Sequence, residues 1–302
     1  MSWLIVGTVP RADFGLYWGP AQLDGAELLL GDARVRVARG TPALVATALV
    51  AAAFLRLPAP DVLLAGDIGT GEGSRQIYAA LAAEPQRAQG SGVTFHYLMP
   101  DVAGHNQVLW ALEALCPRPL LVADAGFMYA AKMSGFAAHY DLFTPDVGEM
   151  AFLADESAPH PFYTRGFLLQ DEAAVPELIR RAYAEENAAR ALLVKGQVDF
   201  VVEAGRIVAR IAAPDVPAME PIGGTGDTLT ALVSMLLAAR LSLQEACCVA
   251  ALANRFLGEL AQPTPAFGVA EFLPFVPAAL TRAWEARRLG PRPERGDEPA
   301  SC

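Results

Sequence analysis

Short apolar runs of strand type alternate with helix-like segments along most of this chain, and that alternation restricts the fold more than any other feature. "SWLIVGTV" opens the series, and "DVLLAGDIGTGEG" follows an alanine-rich helical stretch and leads into "SRQIYAALAAE". "VTFHYLM" leads into "NQVLWALEALC", "PLLVADAG" into "MYAAKMSGFAAHY", and "YDLFTPDVGEMAFLAD" reads as a short strand, a turn and a new helix. "AVPELIRRAYAEENAARALLVKGQ" is a helix followed by a strand, and "DFVVEAGRIVARIAAP" a hairpin turning at Ala204-Gly205. Strands that alternate with helices predict an α/β fold of three layers, a mostly parallel central sheet with helices on both faces. In such sheets ligands bind beyond the carboxyl ends of the strands. The unusual residues sit there: Gly66 to Gly73, Asp124, Thr144 to Glu149 and Lys195-Gly196 each close an apolar run. Their shared placement predicts one site.

Beyond Pro221 the chain changes style. "PIGGTGDTLTALVSMLLA" sets Gly223, Gly224, Thr225 and Gly226 before Asp227 at the mouth of a long apolar helix. The glycines leave backbone N–H groups uncovered, and a helix N-terminus adds unpaired donors and partial positive charge. Together they predict an anion site suited to phosphate. An aspartate whose only effect was to repel phosphate would be out of place; its chemical use is to take the proton from a hydroxyl that attacks phosphorus. The alternative is a capping aspartate in a glycine-rich turn. "LSLQEACCVAALANRFLGELA" and "VAEFLPFVPAALTRAWEARRL" predict the closing helices, within a single domain over 1–286. The charged, proline-rich 287–302 reads as a disordered tail.

Composition narrows the partners. With 302 residues and 53% hydrophobic content the chain can bury a large core, and a net charge of −10 without a basic cluster argues against nucleic acid or anionic lipid. The mean hydropathy of +0.30 raises the question of a membrane span. The stretch "GTPALVATALVAAAFL", bounded by Arg39 and Arg56, falls short of the roughly 20 apolar residues a span needs and reads as a buried helix. The first residues lack the basic start of a signal peptide. Four cysteines without a CxxC pair, and four histidines without HxxxH spacing, give no zinc pattern and suit a reduced, cytoplasmic protein. The alanine-rich helices allow a homo-oligomer.

The ordered set of motifs resembles the ribokinase-like superfamily. "GGTGDTLTALV" is similar to its GxGD signature, and four other pieces resemble the ATP- or ADP-dependent NAD(P)H-hydrate dehydratases in order. "GDIGTGEG" resembles their glycine-rich segment, "LLVADAGFM" their strand ending in Asp-Ala, "FTPDVGEMAFL" their TPHxGE segment and "LLVKGQVDFVVEAGR" their LKG segment with its hairpin. The resemblance spans roughly 60 to 280 and implies a ribokinase-like fold. It also implies phosphoryl transfer from ATP or ADP, with Mg²⁺, to the hydroxyl of a hydrated dihydronicotinamide, followed by loss of phosphate. Carried over by position, Asp227 would be the base, with Gly223, Gly224, Thr225 and Gly226 as the anion hole. Lys195 and Gly196 would lie by the nucleotide, and Gly69, Asp146 and Asp124 by the substrate. Glu149 would organise Mg²⁺ through water.

The departures are specific. Asp146 stands where the family has histidine, Gly66, Asp67 and Ile68 stand where glycine and proline are expected, and "TLTAL" follows GGTGD. Asp124 also suits a cap of the next helix, Lys195 a surface lysine, and Glu149 a residue favoured by the helix dipole alone. His105 and Trp110 read as packing or surface residues. A small-molecule kinase of the same superfamily, acting on a sugar or vitamin precursor, shares Asp227 and the anion hole. A nucleotide-binding scaffold without turnover is the third reading.

Overall fold

The computed structural model describes residues 2–155 and 172–289. The chain starts with β1 (Trp3–Val9), then forms β2 (Tyr17–Pro20), β3 (Gln22–Asp24), β4 (Glu27–Leu30) and β5 (Ala33–Arg36) before α1 (Thr41–Leu55). β6 (Asp61–Gly66), α2 (Glu72–Ala83), β7 (Gly92–His96), α3 (Val102–Glu113), β8 (Leu120–Ala123), α4 (Gly126–Met133), β9 (Leu142–Phe143) and α5 (Val147–Ala154) follow. The remaining described elements are α6 (Val175–Ala184), β10 (Ala191–Val194), β11 (Asp199–Glu203), β12 (Arg206–Ile211), α7 (Thr225–Ala238), α8 (Leu243–Ala261), α9 (Val269–Phe272) and α10 (Val276–Leu289).

The main sheet runs β12-β11-β10-β9-β8-β7-β1-β6-β2. Its six central strands are parallel, while β2 at one edge and the β11–β12 hairpin at the other are antiparallel. This is the expected mostly parallel sheet. The strands β3, β4 and β5, which the sequence reading passed over, form a separate antiparallel sheet. Their sequences are short, three or four residues each, and carry charge and half-exposed positions, so only β4 holds a brief apolar run, Leu28 to Leu30.

The three layers follow from side-chain alternation along each strand. On β1, Trp3, Ile5 and Val9 join one core, and Leu4 and Val6 the other. On β6, Val62 and Leu64 point one way and Leu63 and Ala65 the other. The first core is closed by α1, α7, α8 and α10, the second by α2 to α6. A strand buried on both faces must be apolar at every position, which is why these runs were legible as continuous stretches. The stretch Gly40 to Leu55 is a buried helix, as expected, with Ala43, Leu44, Val45, Ala46 and Ala48 wholly inside. Among the described residues no helix is long and apolar enough to cross a membrane. α10 continues to Leu289, past position 287 where the tail was expected to start; residues 290–302 lie outside the described residues.

Candidate functional site

The carboxyl ends of β7, β8 and β10 and the start of α7 border one cavity of about 550 Å³. Into it converge His96, Asp124, Asp146, Glu149, Lys195 and Asp227, with the loop 214–217 and α8 residues Asn254 and Arg255 closing the far end.

The glycine loop is built around Gly224, the N-cap of α7, whose φ of 104° lies in the left-handed region. A Cβ there would meet Val269 Cγ2 at 2.6 Å, so both backbone and packing call for glycine. Gly223 packs against the side chain of Arg39, outside the cavity wall, whereas Gly224, Thr225 and Gly226 line it. No side chain caps the first turn of α7. Asp227 does not cap it either, which decides against the capping alternative. Its Oδ2 instead accepts the N–H of Gly40 at 2.5 Å, and Oδ1 lies 3.0 Å from His96 Nε2. Burial opposes its charge, but the hydrogen bond from His96, then Lys195 and the Gly40 N–H, hold the carboxyl below the ordinary aspartate value.

Lys195 is not a surface lysine. Its Nζ reaches Asp124 Oδ1 at 2.9 Å and Oδ2 at 3.1 Å, and a Cβ on Gly226 would sit 3.5 Å from that ammonium. Burial works against the charge, yet Asp124 and Glu149 outweigh it and the lysine is raised above its ordinary value. Its positive charge therefore stands beside the open N-terminus of α7, the placement an anion requires.

Asp124 is also held by Thr230 Oγ1 at 2.6 Å and by the N–H of Ala125 at 2.8 Å. Both its oxygens serve protein donors, so it anchors Lys195 and α7. Asp146 and Glu149 form a reciprocal capping box on α5: Glu149 N–H donates to Asp146 Oδ1 at 2.7 Å, and Asp146 N–H to Glu149 Oε2 at 2.8 Å. The acid in place of the family histidine thus has a local structural partner. Burial first, then the neighbouring Asp146, pushes Glu149 up to about 8.

Gly69 is placed elsewhere. It does not line the cavity, and its N–H donates to Asp67 Oδ1 at 2.9 Å. The same carboxylate takes the N–H of Gly71 and Ser74 and the Ser74 hydroxyl. The glycine-rich segment folds around its own aspartate, which engages the N–H groups of Gly69, Gly71 and Ser74. Gly196 lines the cavity, with its N–H on Asp199 Oδ1 at 3.2 Å. Arg255 ties that loop down, through Asp199 at 2.7 Å and the carbonyls of Gly196 and Gln197.

His96, Gly40 and Arg255 were not singled out from sequence. His96 closes the run "VTFH" as Asp124 closes "LLVAD", so the strand-end signal was present. Nothing local marks Gly40 or Arg255. His105 and Trp110 are, as read, a packing and a surface residue: His105 is buried against Tyr140, and Trp110 is exposed.

Among the described residues no group of three His, Cys, Asp or Glu side chains is disposed to hold a metal ion directly. Mg²⁺ commonly keeps its waters and rests on one carboxylate plus substrate phosphates. Glu149, buried at the cavity wall beside two other acids, fits that indirect role.

Comparisons with known proteins identify the family and the fold. The model of a family described as NAD(P)H-hydrate dehydratase matches residues 98–272. The match begins after the Gly66 to Gly73 segment. An uncharacterized protein of Methanocaldococcus jannaschii is 40% identical over 220 residues, covering 72% of this chain and 90% of that one. The bifunctional NAD(P)H-hydrate repair enzyme of Hyperthermus butylicus is 32% identical over 127 residues, 41% of this chain and 23% of the enzyme. Among solved structures, a ribokinase-like superfamily protein of Enterococcus faecalis superposes with a TM-score of 0.56 at 13% identity, covering 93% of this chain and 87% of that one. A mutant of phosphofructokinase-2 from Escherichia coli gives 0.56 at 15% identity, covering 93% and 99%. At these identities the structural likeness speaks for the fold alone.

Proposed function

The chain belongs to the NAD(P)H-hydrate dehydratase family, on the ribokinase-like fold, and on that premise we propose that it is a nucleotide-dependent hydro-lyase acting on hydrated NADH or NADPH. The observation that carries this reading is the ionised Asp227 carboxylate at the uncapped N-terminus of α7, with the Lys195 ammonium beside it. ATP or ADP lies with its terminal phosphoryl group on the N–H groups of Gly224, Thr225 and Gly226, and its remaining phosphates toward Lys195 and Gly196. Glu149 would hold Mg²⁺ through water, and the ion would supply charge neutralisation of the phosphates.

Asp227 takes the proton of the substrate hydroxyl as that oxygen attacks phosphorus and the bond to the departing nucleotide breaks. The helix N-terminus and Lys195 stabilise charge on the transferred group. The ring nitrogen lone pair then expels phosphate to leave an iminium ion, and loss of a proton from the adjacent ring carbon to the departing phosphate or water restores the dihydronicotinamide. Asp124 and Thr230 keep Lys195 and α7 in register. The wall at Asp146 meets the substrate.

The test is a repair assay with hydrated NADH, Mg²⁺ and ATP or ADP, following the return of dihydronicotinamide absorbance. Recovery that requires nucleotide and Asp227 supports the dehydratase. Nucleotide binding without recovery counts against it. A second reading, a kinase for another small alcohol, is favoured by one observation: Gly40 and His96, both on Asp227, lie outside the family-matched residues 98–272. It predicts a stable phosphate ester as product.

A further inference from the structure

His96 is wholly buried at the end of β7, among groups from three other elements. Its Nε2 lies 3.0 Å from Asp227 Oδ1 on α7, and its Nδ1 3.0 Å from Thr41 Oγ1, the first residue of α1. The space for this chain of contacts comes from β1. A Cβ on Gly7 would lie 2.4 Å from the His96 carbonyl oxygen and 2.6 Å from Thr41 Oγ1. An ionised carboxylate only accepts hydrogen bonds, so Nε2 carries a proton, and in the neutral imidazole Nδ1 then accepts from the Thr41 hydroxyl.

The groups facing Asp227 are few. From β7 come His96 and Tyr97, from the end of β8 Asp124 (3.8 Å from His96 Nε2), from the end of β10 Lys195, and from the start of α1 the Gly40 N–H. Among the described residues only His96 and Gly40 hydrogen-bond to it, one on each oxygen. A carboxylate has about four lone-pair sites, so two such bonds fix its plane and leave lone pairs for a substrate hydroxyl.

We propose that His96 is a positioning residue for Asp227: its Nε2–H fixes the plane of the carboxylate toward the cavity, and the Thr41 hydroxyl fixes the imidazole tautomer. This rests on the reading of Asp227 as base. In the step it serves, the substrate O–H bond breaks and its proton passes to Asp227. The freed oxygen bonds to phosphorus as the P–O bond to the nucleotide breaks, and His96 keeps its proton throughout. His96 and Thr41 lie before residue 98, where the family match begins, so this support comes from a part of the chain outside that match.

The first measurement needs no substrate. Nitrogen-15 NMR of the full chain should find His96 with the proton on Nε2, and carbon-13 titration should find the Asp227 midpoint higher in His96→Leu than in the wild type, with His96→Gln between them. A proton on Nδ1, or an unchanged Asp227 midpoint in His96→Leu, overturns the proposal.

The second measurement is kinetic. In His96→Leu kcat should fall about 100-fold and the acid limb of the pH profile should move upward, with little change in nucleotide KM. His96→Gln, which offers an amide N–H to Asp227, should recover much of the rate. Thr41→Val, a smaller change, should lower kcat less and mix the tautomers. If Asp227→Asn abolishes turnover while His96→Leu keeps the wild-type rate and acid limb, this inference alone falls. If Asp227→Asn retains turnover, the reading of Asp227 as base falls instead.

Discussion

Lys195 Nζ holds both oxygens of Asp124, at 2.9 and 3.1 Å, although the two residues are 71 positions apart, just past the ends of β10 and β8. Removing one partner leaves the other charge buried and unpaired. Lys195→Met should therefore lower stability by about 3–5 kcal/mol, whereas the double variant with Asp124→Asn should recover part of it. Urea unfolding of the four proteins in a double-mutant cycle measures the coupling. The same lysine stands at the anion site, so both Lys195 variants should bind nucleotide more weakly.

Asp227→Asn removes the base while keeping an oxygen for one of its two donors. The protein should fold with a melting temperature near that of the wild type, and turnover should fall by about 10²–10⁴-fold. Steady-state assays beside a thermal melt check both halves.

Gly224 and Gly226 are two residues apart and should respond differently to alanine. At Gly224 the positive φ alone costs a side chain about 1–2 kcal/mol, and the collision with Val269 adds to it. At Gly226 the new methyl meets Lys195 at 3.5 Å, an ordinary contact. Gly224→Ala should lose stability, and Gly226→Ala should fold normally. Gly226→Val, with two further methyls in the phosphate space, should bind nucleotide more weakly. Calorimetry of unfolding and of nucleotide binding separates these effects.

Glu149 supplies a pH dependence. Burial and Asp146 raise it from the ordinary glutamate value to about 8, so across that interval the folded state holds the proton more tightly than the unfolded state does. Stability from this group is then present at low pH and declines as pH rises toward 8. Wild-type melting temperature should drop between pH 5 and pH 8.5 more than that of Glu149→Gln. Equal pH dependence in the two would remove this account.

Asp67 offers the opposite case, a site residue in appearance that serves the scaffold. Asp67→Ala strands the N–H groups of Gly69, Gly71 and Ser74 and should cost about 1–3 kcal/mol per buried donor left unpaired. Nucleotide affinity should be unchanged, because neither Asp67 nor Gly69 lines the cavity. Chemical denaturation and a binding isotherm test the two statements.

The layered α/β fold was legible because central strands buried on both faces read as nearly continuous apolar runs, as β1, β6, β8 and β10 do. The site's location was legible for a related reason. Asp124 and Lys195 each interrupt such a run at its carboxyl end, and the Gly223 to Gly226 loop announces a helix with an open N-terminus. The small sheet of β3, β4 and β5 was not, since half-exposed strands carry charge and alternate too briefly to show a period.

What sequence alone determined was the local chemistry: which residues are acids, where the backbone needs glycine, which runs must be buried. Only the tertiary structure decided which donor each acid meets. Asp67, Asp124 and Asp227 all stand at the edge of an apolar run, yet one closes on its own loop, one binds a lysine and one faces His96 at the end of β7. Those pairings join residues 2, 71 and 131 positions apart, and the longer two are set by strand order and helix packing, which no local pattern encodes.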